Sequence, residues 1–331
     1  MDKKVLQLYS AAFEGISEKE DVFALEAVET NKSYHALVPV FQWLLSRNFR
    51  KDANLVVVGG GITQDVGAFA SNLLLRGIRW SFIPTTLLAQ GDSCIGSKSS
   101  INFGNYKNQL GYFYPPHSVH ICSEVLSSLS DDDWSSGLGE IIKLAIISGE
   151  ESFKRTVAAL PLAILRKPII SDLVREALAI KKCFIEEDEL DQGSRRLLNF
   201  GHTFGHAFES ATNYRIPHGV AVSIGMSAAA FVSRQLELID DLAFEKMIAP
   251  LKPLFEKFIP ELLTVERNDI FSAMRNDKKN TKNHINCILL RGLGKLEITP
   301  LSLSDQVVPM VSQFLNWLGD PLHPLPGRFL R

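Results

Sequence analysis

Three of the chain's eight histidines fall in one stretch, NFGHTFGHAFESATNYRIPHG (199–219). His202 and His206 are four apart, and on a helix that spacing puts both on one face. His218 follows Pro217 just before an apolar run, at an expected helix start. Imidazole is a common zinc ligand, and a catalytic zinc takes three protein ligands while keeping one position open. A zinc protease would carry HExxH, but the residue after His202 is Thr203. Alone, the pair reads as either a metal clip or two histidines packed on a helix.

A carboxylate would complete a ligand set. GLGEIIKLAII (137–147) is apolar nearly all round, yet it carries Glu140 and Lys143 on one face. Charges on a buried helix must be paired or serve a site. The plainer alternative is an i,i+3 ion pair.

LVVVGGGITQD (55–65) sets Gly59, Gly60 and Gly61 between a strand-like run and a helix, with Asp65 in the first turn. Glycines there let a pyrophosphate approach the helix N-terminus. The GxGxxG fingerprint is incomplete, because Gln64 stands at its last position, so a tight turn competes with nucleotide binding. IPTTLLAQGDS (83–93) follows the next strand, at the edge where open α/β sheets take ligands. Thr85, Thr86 and Asp92 are candidates there, against a plain capping turn. Basic residues recur as Lys98 and Lys107 with Asn108, as Lys181, Lys182, Arg195 and Arg196, and as Lys278 and Lys279. Each run alone reads as a solvated face. Together, near the histidines in sequence, they suit an anionic substrate.

The elements that must hold these residues alternate at first. VLQL (5–8) reads as a short strand and 33–48 as a helix. LVVV (55–58) reads as a strand buried on both faces. A helix is expected over 62–77, and further strands at 80–84 and 118–122. This alternation predicts a parallel α/β sheet. At SDDDW, an N-cap with an acidic first turn, the pattern turns helical and stays so to about residue 275. The expected organisation is α/β: a Rossmann-like parallel-sheet domain over 1–125, then a mainly helical domain over 126–331. DPLHPLPGRFLR (320–331), with three prolines, is expected to be irregular.

The 331 residues are 46% apolar with a formal net charge of −2, so bulk charge gives no reason to expect nucleic-acid binding. VAVSIGMSAAAFV (220–232) is too short to span a bilayer and reads as a buried helix rich in small residues. Four scattered cysteines make no CxxC pair, and MDKKVLQLYSAAFEG lacks a signal-peptide core, so a reduced, cytoplasmic setting is expected.

Taken together, GGGITQDVGAF, LLLRGIRWSFIPTTLLAQGDSCIGSKSSIN, YKNQLGYFYPP, GLGEIIKLAII, RRLLNFGHTFGHAFE, PHGVAVSIGM and NDKK resemble the 3-dehydroquinate synthase family of sugar-phosphate cyclases. The resemblance runs from about residue 27 to 290. It implies metal ligation, by Zn2+ or Co2+, at Glu140, His202 and His218, with His206 left beside the substrate. It implies substrate contacts from Asp92, Lys98, Asn108, Lys143, Lys181, Arg195, Asn199 and Lys278, with Lys279 as the alternative to Lys278. Arg76 matches an arginine that reaches the site from a neighbouring subunit, which implies a homodimer. For NAD it implies Glu29, Lys32, Gly60, Gly61, Asp65, Thr85, Thr86 and Lys107, with Asn108 beside them.

The implied reaction takes 3-deoxy-arabino-heptulosonate 7-phosphate to 3-dehydroquinate and phosphate. It passes through transient oxidation by NAD, phosphate elimination, reduction, ring opening and an aldol closure. Metal would ease loss of a hydroxyl proton, and the lysines and Arg195 would hold phosphate and carboxylate. The chain departs from the family in a short run between VLQLYS and EAVE, which implies an abbreviated adenine side and weaker NAD binding. Ser97 stands in place of a usual glycine, Gly91 of an apolar residue and Asp191 of a glutamate. Ser97 adjoins Lys98 and bears on phosphate placement. The main rival is another cyclase, making 2-deoxy-scyllo-inosose or 2-epi-5-epi-valiolone from a substrate without the carboxylate. Arg195, Asn199 and Lys278 favour the carboxylate-bearing substrate. An alcohol dehydrogenase of similar architecture would leave Lys98, Lys143, Lys181 and Arg195 unexplained. A non-catalytic paralogue would not need the intact metal and lysine positions.

Overall fold

NLVVVG forms strand β1 (Asn54–Gly59) and RWSFIP forms β2 (Arg79–Pro84), paired in parallel from Asn54↔Arg79 to Gly59↔Pro84. A short β5 (Ser118–Val119) continues the parallel sheet beyond β2, in the order β1-β2-β5. The computed structural model describes residues 1–13, 19–104, 106–275 and 283–320. It divides into two units, Met1–Leu129 with Lys181–Leu190, and Ser130–Ile180 with Asp191–Arg331. Among the described residues no helix is long and apolar enough to cross a membrane.

In the first unit, α1 (Lys3–Phe13) precedes α2 (Tyr34–Ser46), and α3 (Gly61–Leu73) links β1 to β2. Gly67 lets α3 lie on β1: a β-carbon there would stand 2.5 Å from Val57 Cγ2. Leu37, Val40 and Leu44 of α2 pack with Val66, Phe69 and Ala70 of α3 and with Ile101 to form a core. The expected strand at VLQL is instead part of α1. A four-residue apolar run does not distinguish strand from helix, and leucine and glutamine favour the latter. Nor is the LVVV strand covered on both faces. Val57 and Val58 are buried, but Val56 is 48% exposed.

Where the amino-acid order shows only a run with Lys98, Lys107 and Asn108 that reads as a solvated face, β3 (Lys98–Phe103) and β4 (Tyr106–Phe113) form an antiparallel pair. Its strand alternation is hidden because a small polar residue, Ser99, fills an inward position beside Ile101.

In the second unit, Ser130 caps α4 (Asp131–Ser148), its hydroxyl accepting from Asp133 N–H, as SDDDW predicted. Helix α5 (Glu150–Ile164) follows, then α6 (Ile170–Glu187), whose residues from Lys181 onward belong to the first unit. Then come α7 (His202–Ala211) and α8 (His218–Gln235). Every residue of α8 from Gly219 to Ser233 is buried, as its small, apolar composition predicts. This unit also holds an unexpected antiparallel hairpin, β6 (His284–Gly292) with β7 (Lys295–Ser302). Its turn satisfies a carbonyl near the end of α4: Gly294 N–H donates to the Ile146 oxygen at 2.9 Å. Lys278, Lys279 and nearly all of the proline-rich tail lie outside the described residues.

Candidate active site

Glycines decide how closely the helices of the second unit approach, and each flanks a site residue. Gly139, before Glu140, meets Gly219 and Ser223 of α8 with no room for a β-carbon. Gly219, after His218, is equally tight against the Ser136 backbone, and its N–H donates to Ser136 Oγ at 2.8 Å. A β-carbon on Gly201, before His202, would stand 2.8 Å from the Val222 carbonyl oxygen. On Gly205, before His206, it would stand 2.9 Å from that of Ala221. Gly201 also takes φ +78°, the left-handed region, where glycine enters α7 without strain. These contacts bring α4, α7 and α8 into backbone proximity, so short side chains from all three meet.

They meet around Glu140. Its Oε1 lies 3.7 Å from His202 Nε2 and 3.4 Å from His218 Nε2. The Lys143 ammonium donates to the other carboxylate oxygen, Oε2. Glu140 is 1% and Lys143 2% exposed, so the i,i+3 ion pair is present and is at the same time part of the cluster. The rings of His202 and His206 are 5.1 Å apart and those of His206 and His218 5.5 Å. One ligand nitrogen from each of the three histidines lies within 4.8 Å of the others.

Both Glu140-facing rings are oriented from behind. His202 Nδ1 is 3.2 Å from the Phe200 carbonyl, and His218 Nδ1 is 3.3 Å from Glu209 Oε2. Carbonyl and carboxylate oxygens only accept, so both Nδ1 atoms carry hydrogen and both Nε2 atoms face Glu140. Burial works against charging His218, but Glu140 and Glu209 outweigh it and push its pKa up to about 10. An excess of negative charge around imidazoles favours a cation, whether a proton or a metal ion. Two imidazoles and a carboxylate form a donor set suited to a zinc-like ion, with a third imidazole at hand. Arg195 is buried in the turn Ser194–Asn199, where Asn199 Nδ2 donates to the Arg196 carbonyl.

The first unit gathers the other expected residues in two groups. Lys181 Nζ lies 2.5 Å from Asp92 Oδ1 and 2.6 Å from the Asp92 carbonyl oxygen. Asp92 sits in a π-helical turn, Ala89–Ser93, of the kind common at functional sites. The turn is tied down by Gln90, which donates to the Pro84 and Cys122 carbonyls, and by Gln64, which exchanges hydrogen bonds with Ser93.

The second group joins the residues expected around NAD. Lys32 Nζ pairs with Asp65 Oδ2 at 2.6 Å and donates to Asn108 Oδ1 at 2.7 Å. Asn102 donates to Glu29 at 2.9 Å, and Lys107 lies 3.5 Å from the same Glu29 oxygen. Burial raises the Asp65 pKa, against the pull of Lys32. Gly60 passes so close to Thr86 that a β-carbon would stand 2.8 Å from its methyl, whereas Gly61 faces open space. Thr85 N–H donates to the Gly59 carbonyl and Thr86 Oγ1 accepts from Ala89 N–H. Lys98 is exposed at the start of β3. Arg76 is exposed in a turn where Leu75 and Arg76 both take positive φ.

Sequence reasoning missed Glu209 and Gly67. The glutamate of GHAFES (205–210), on an expected helix, looks like a solvated charge; only its fall three residues after His206, on the histidine face, hints otherwise. Gly67 lets α3 lie close on β1, as the last glycine of the GxGxxG fingerprint does, three residues beyond where that fingerprint places it.

Residues 22–136 match the 3-dehydroquinate synthase N-terminal family, and residues 137–280 match the 3-dehydroquinate synthase C-terminal family. The chain belongs to the 3-dehydroquinate synthase family. A 3-dehydroquinate synthase of Acidithiobacillus ferrooxidans is 36% identical over 277 residues, spanning 83% of this chain and 76% of that one. Among solved structures, a 2-deoxy-scyllo-inosose synthase complexed with carbaglucose-6-phosphate, NAD+ and Co2+ superposes with a TM-score of 0.81 at 23% identity. That match covers 93% of this chain and 87% of the other. A 2-epi-5-epi-valiolone synthase from Streptomyces hygroscopicus, with NAD+ and Zn2+ bound, gives 0.80 at 22%, over 94% and 89%. Both establish the same fold for this 3-dehydroquinate synthase family member.

Proposed function

We propose that this family member converts 3-deoxy-arabino-heptulosonate 7-phosphate to 3-dehydroquinate and phosphate, as a carbon–oxygen lyase of the shikimate pathway dependent on NAD and a divalent metal. Family membership supports the reaction. The observation that carries the site is Glu140 Oε1 facing both Nε2 atoms of His202 and His218. In this reading these three residues hold Zn2+ or Co2+. With both Nδ1 atoms turned to oxygen acceptors, His202 and His218 would ligate through Nε2, the ion replacing the proton between each ring and Glu140. When bound, the metal polarises a substrate hydroxyl and NAD takes and returns a hydride.

The chain's own residues do the rest. His206, its ring adjacent to both ligand rings, exchanges a proton with the substrate. Lys143 and Arg195 supply fixed positive charge to phosphate and carboxylate, and Arg195 does so with a planar fork suited to either. Asp92 holds the Lys181 ammonium in one position, and Lys98, Asn199 and Lys278 complete the substrate contacts. Glu29, Lys32, Asp65, Lys107 and Asn108 form a pre-set polar frame for NAD, with Gly60, Gly61, Thr85 and Thr86 at its phosphate side. Arg76 serves the neighbouring subunit of a homodimer. Support for that is its strained, exposed turn flanked by exposed Leu73 and Leu75. The setting in this reading is the cytoplasm.

The test incubates metal-loaded protein with NAD and the heptulosonate phosphate and follows phosphate release and dehydroquinate. Turnover is expected. No turnover there, with turnover of sedoheptulose 7-phosphate or glucose 6-phosphate, would assign the chain to the other cyclases instead.

A further inference from the structure

Glu209 is a buried carboxylate, 7% exposed, with no place in the substrate, metal or NAD sets above. It lies on α7, seven residues after His202 and three after His206, and reaches across to the first residue of α8. Its Oε2 is 3.3 Å from His218 Nδ1, on the ring edge opposite the nitrogen that faces Glu140. His218 begins α8, where the helix dipole disfavours a positive imidazole. A buried carboxylate costs free energy unless it is matched by a specific partner.

We propose that Glu209 is a positioning residue for metal binding: it holds His218 in the Nδ1–H tautomer, with Nε2 aimed at the ion shared with Glu140 and His202. The inference rests on the metal reading of that cluster. Two things follow from the geometry. Glu209 fixes both tautomer and ring plane, so His218 loses little freedom when it ligates. It also lowers the formal charge of the loaded cluster by one, offsetting the Lys143 ammonium, which stands against the same carboxylate that would ligate. His202 has the same arrangement through the Phe200 carbonyl. That partner belongs to the backbone, so Glu209 is the side chain through which the arrangement can be tested.

The experiment titrates Co2+ into full-length wild type, Glu209→Ala and Glu209→Gln. It follows the visible absorption of the ion and its removal by a competing chelator. Urea unfolding of the metal-free forms checks that each variant is folded. Glutamine preserves the volume and an oxygen acceptor but removes the charge, and guards against a collapse of the alanine variant. Glu209→Ala is expected to bind about 10- to 100-fold more weakly and to release the ion faster, with Glu209→Gln in between. In the Zn2+-loaded wild type, nitrogen NMR of His218 is expected to show a protonated Nδ1 and a ligating Nε2. Wild-type affinity in both folded variants, or ligation through Nδ1, overturns the role of Glu209. Absence of Co2+ binding by the wild type overturns the metal reading itself, and this inference with it.

Discussion

Lys143 donates to the carboxylate of Glu140, one helical turn before it, and both side chains are almost wholly buried. Removing one member of a buried pair leaves an uncompensated charge, at about 3–5 kcal/mol. Lys143→Met is therefore expected to destabilise the metal-free protein by an amount of that order. The loss is expected to shrink when Co2+ is present, because the cation then stands beside the same carboxylate. Urea denaturation with and without Co2+ measures both. Equal losses in the two conditions would argue against a cation at Glu140.

His202→Ala is expected to lose stoichiometric metal. His206→Ala is expected to keep it and to slow turnover by about 10²- to 10⁴-fold, the range for a lost acid–base group. Metal analysis of the dialysed variants, beside steady-state rates, separates the two. Metal lost with His206 and kept with His202 would reverse the assignment.

The raised pKa of His218 gives a definite sign. Its protonated form is favoured in the folded state, so the metal-free protein gains stability that is fully present below about 6.5 and lost as pH rises through about 10. Proton and metal compete for the same nitrogen, so metal affinity is expected to climb over that window. Thermal unfolding of the metal-free protein between pH 6 and 10.5 checks the first expectation, and chelator competition across the same range checks the second. Flat behaviour in His218→Gln would attribute both to this residue.

Gly219 and Gly61 make a contrasting pair. A β-carbon at Gly219 collides with the Ser136 backbone, while one at Gly61 enters open space. Gly219→Ala is expected to cost at least about 1–3 kcal/mol and to weaken metal binding without touching a ligand. Gly61→Ala is expected to leave stability unchanged and to weaken NAD binding, because its methyl would occupy the approach to the α3 N-terminus. Calorimetric NAD titration and denaturation of both variants decide it; tight NAD binding by Gly61→Ala would remove that turn from the cofactor site.

The chemistry-bearing residues were legible because their types are rare in their surroundings. Glu140 and Lys143 stand out on an apolar helix, and three histidines stand out in one short segment. The GGG turn and SDDDW declared a strand–helix junction and a helix start by local backbone preference, and both are present. Local pattern failed where neighbours decide. VLQL is helical because a short apolar run takes its conformation from propensity and context together. The 98–113 hairpin was hidden by an inward serine, and the 284–302 hairpin falls in a stretch where no strand was expected.

Amino-acid order alone determined which groups the protein brings to its chemistry and the helices and strands that carry most of them. Tertiary structure decided which of these groups meet. Gly139, Gly201, Gly205 and Gly219 draw three helices to backbone contact, and that approach puts Glu140 against His202 and His218 and brings Glu209 behind His218. No spacing along the chain encodes those distances, because they depend on how closely separate helices can pack.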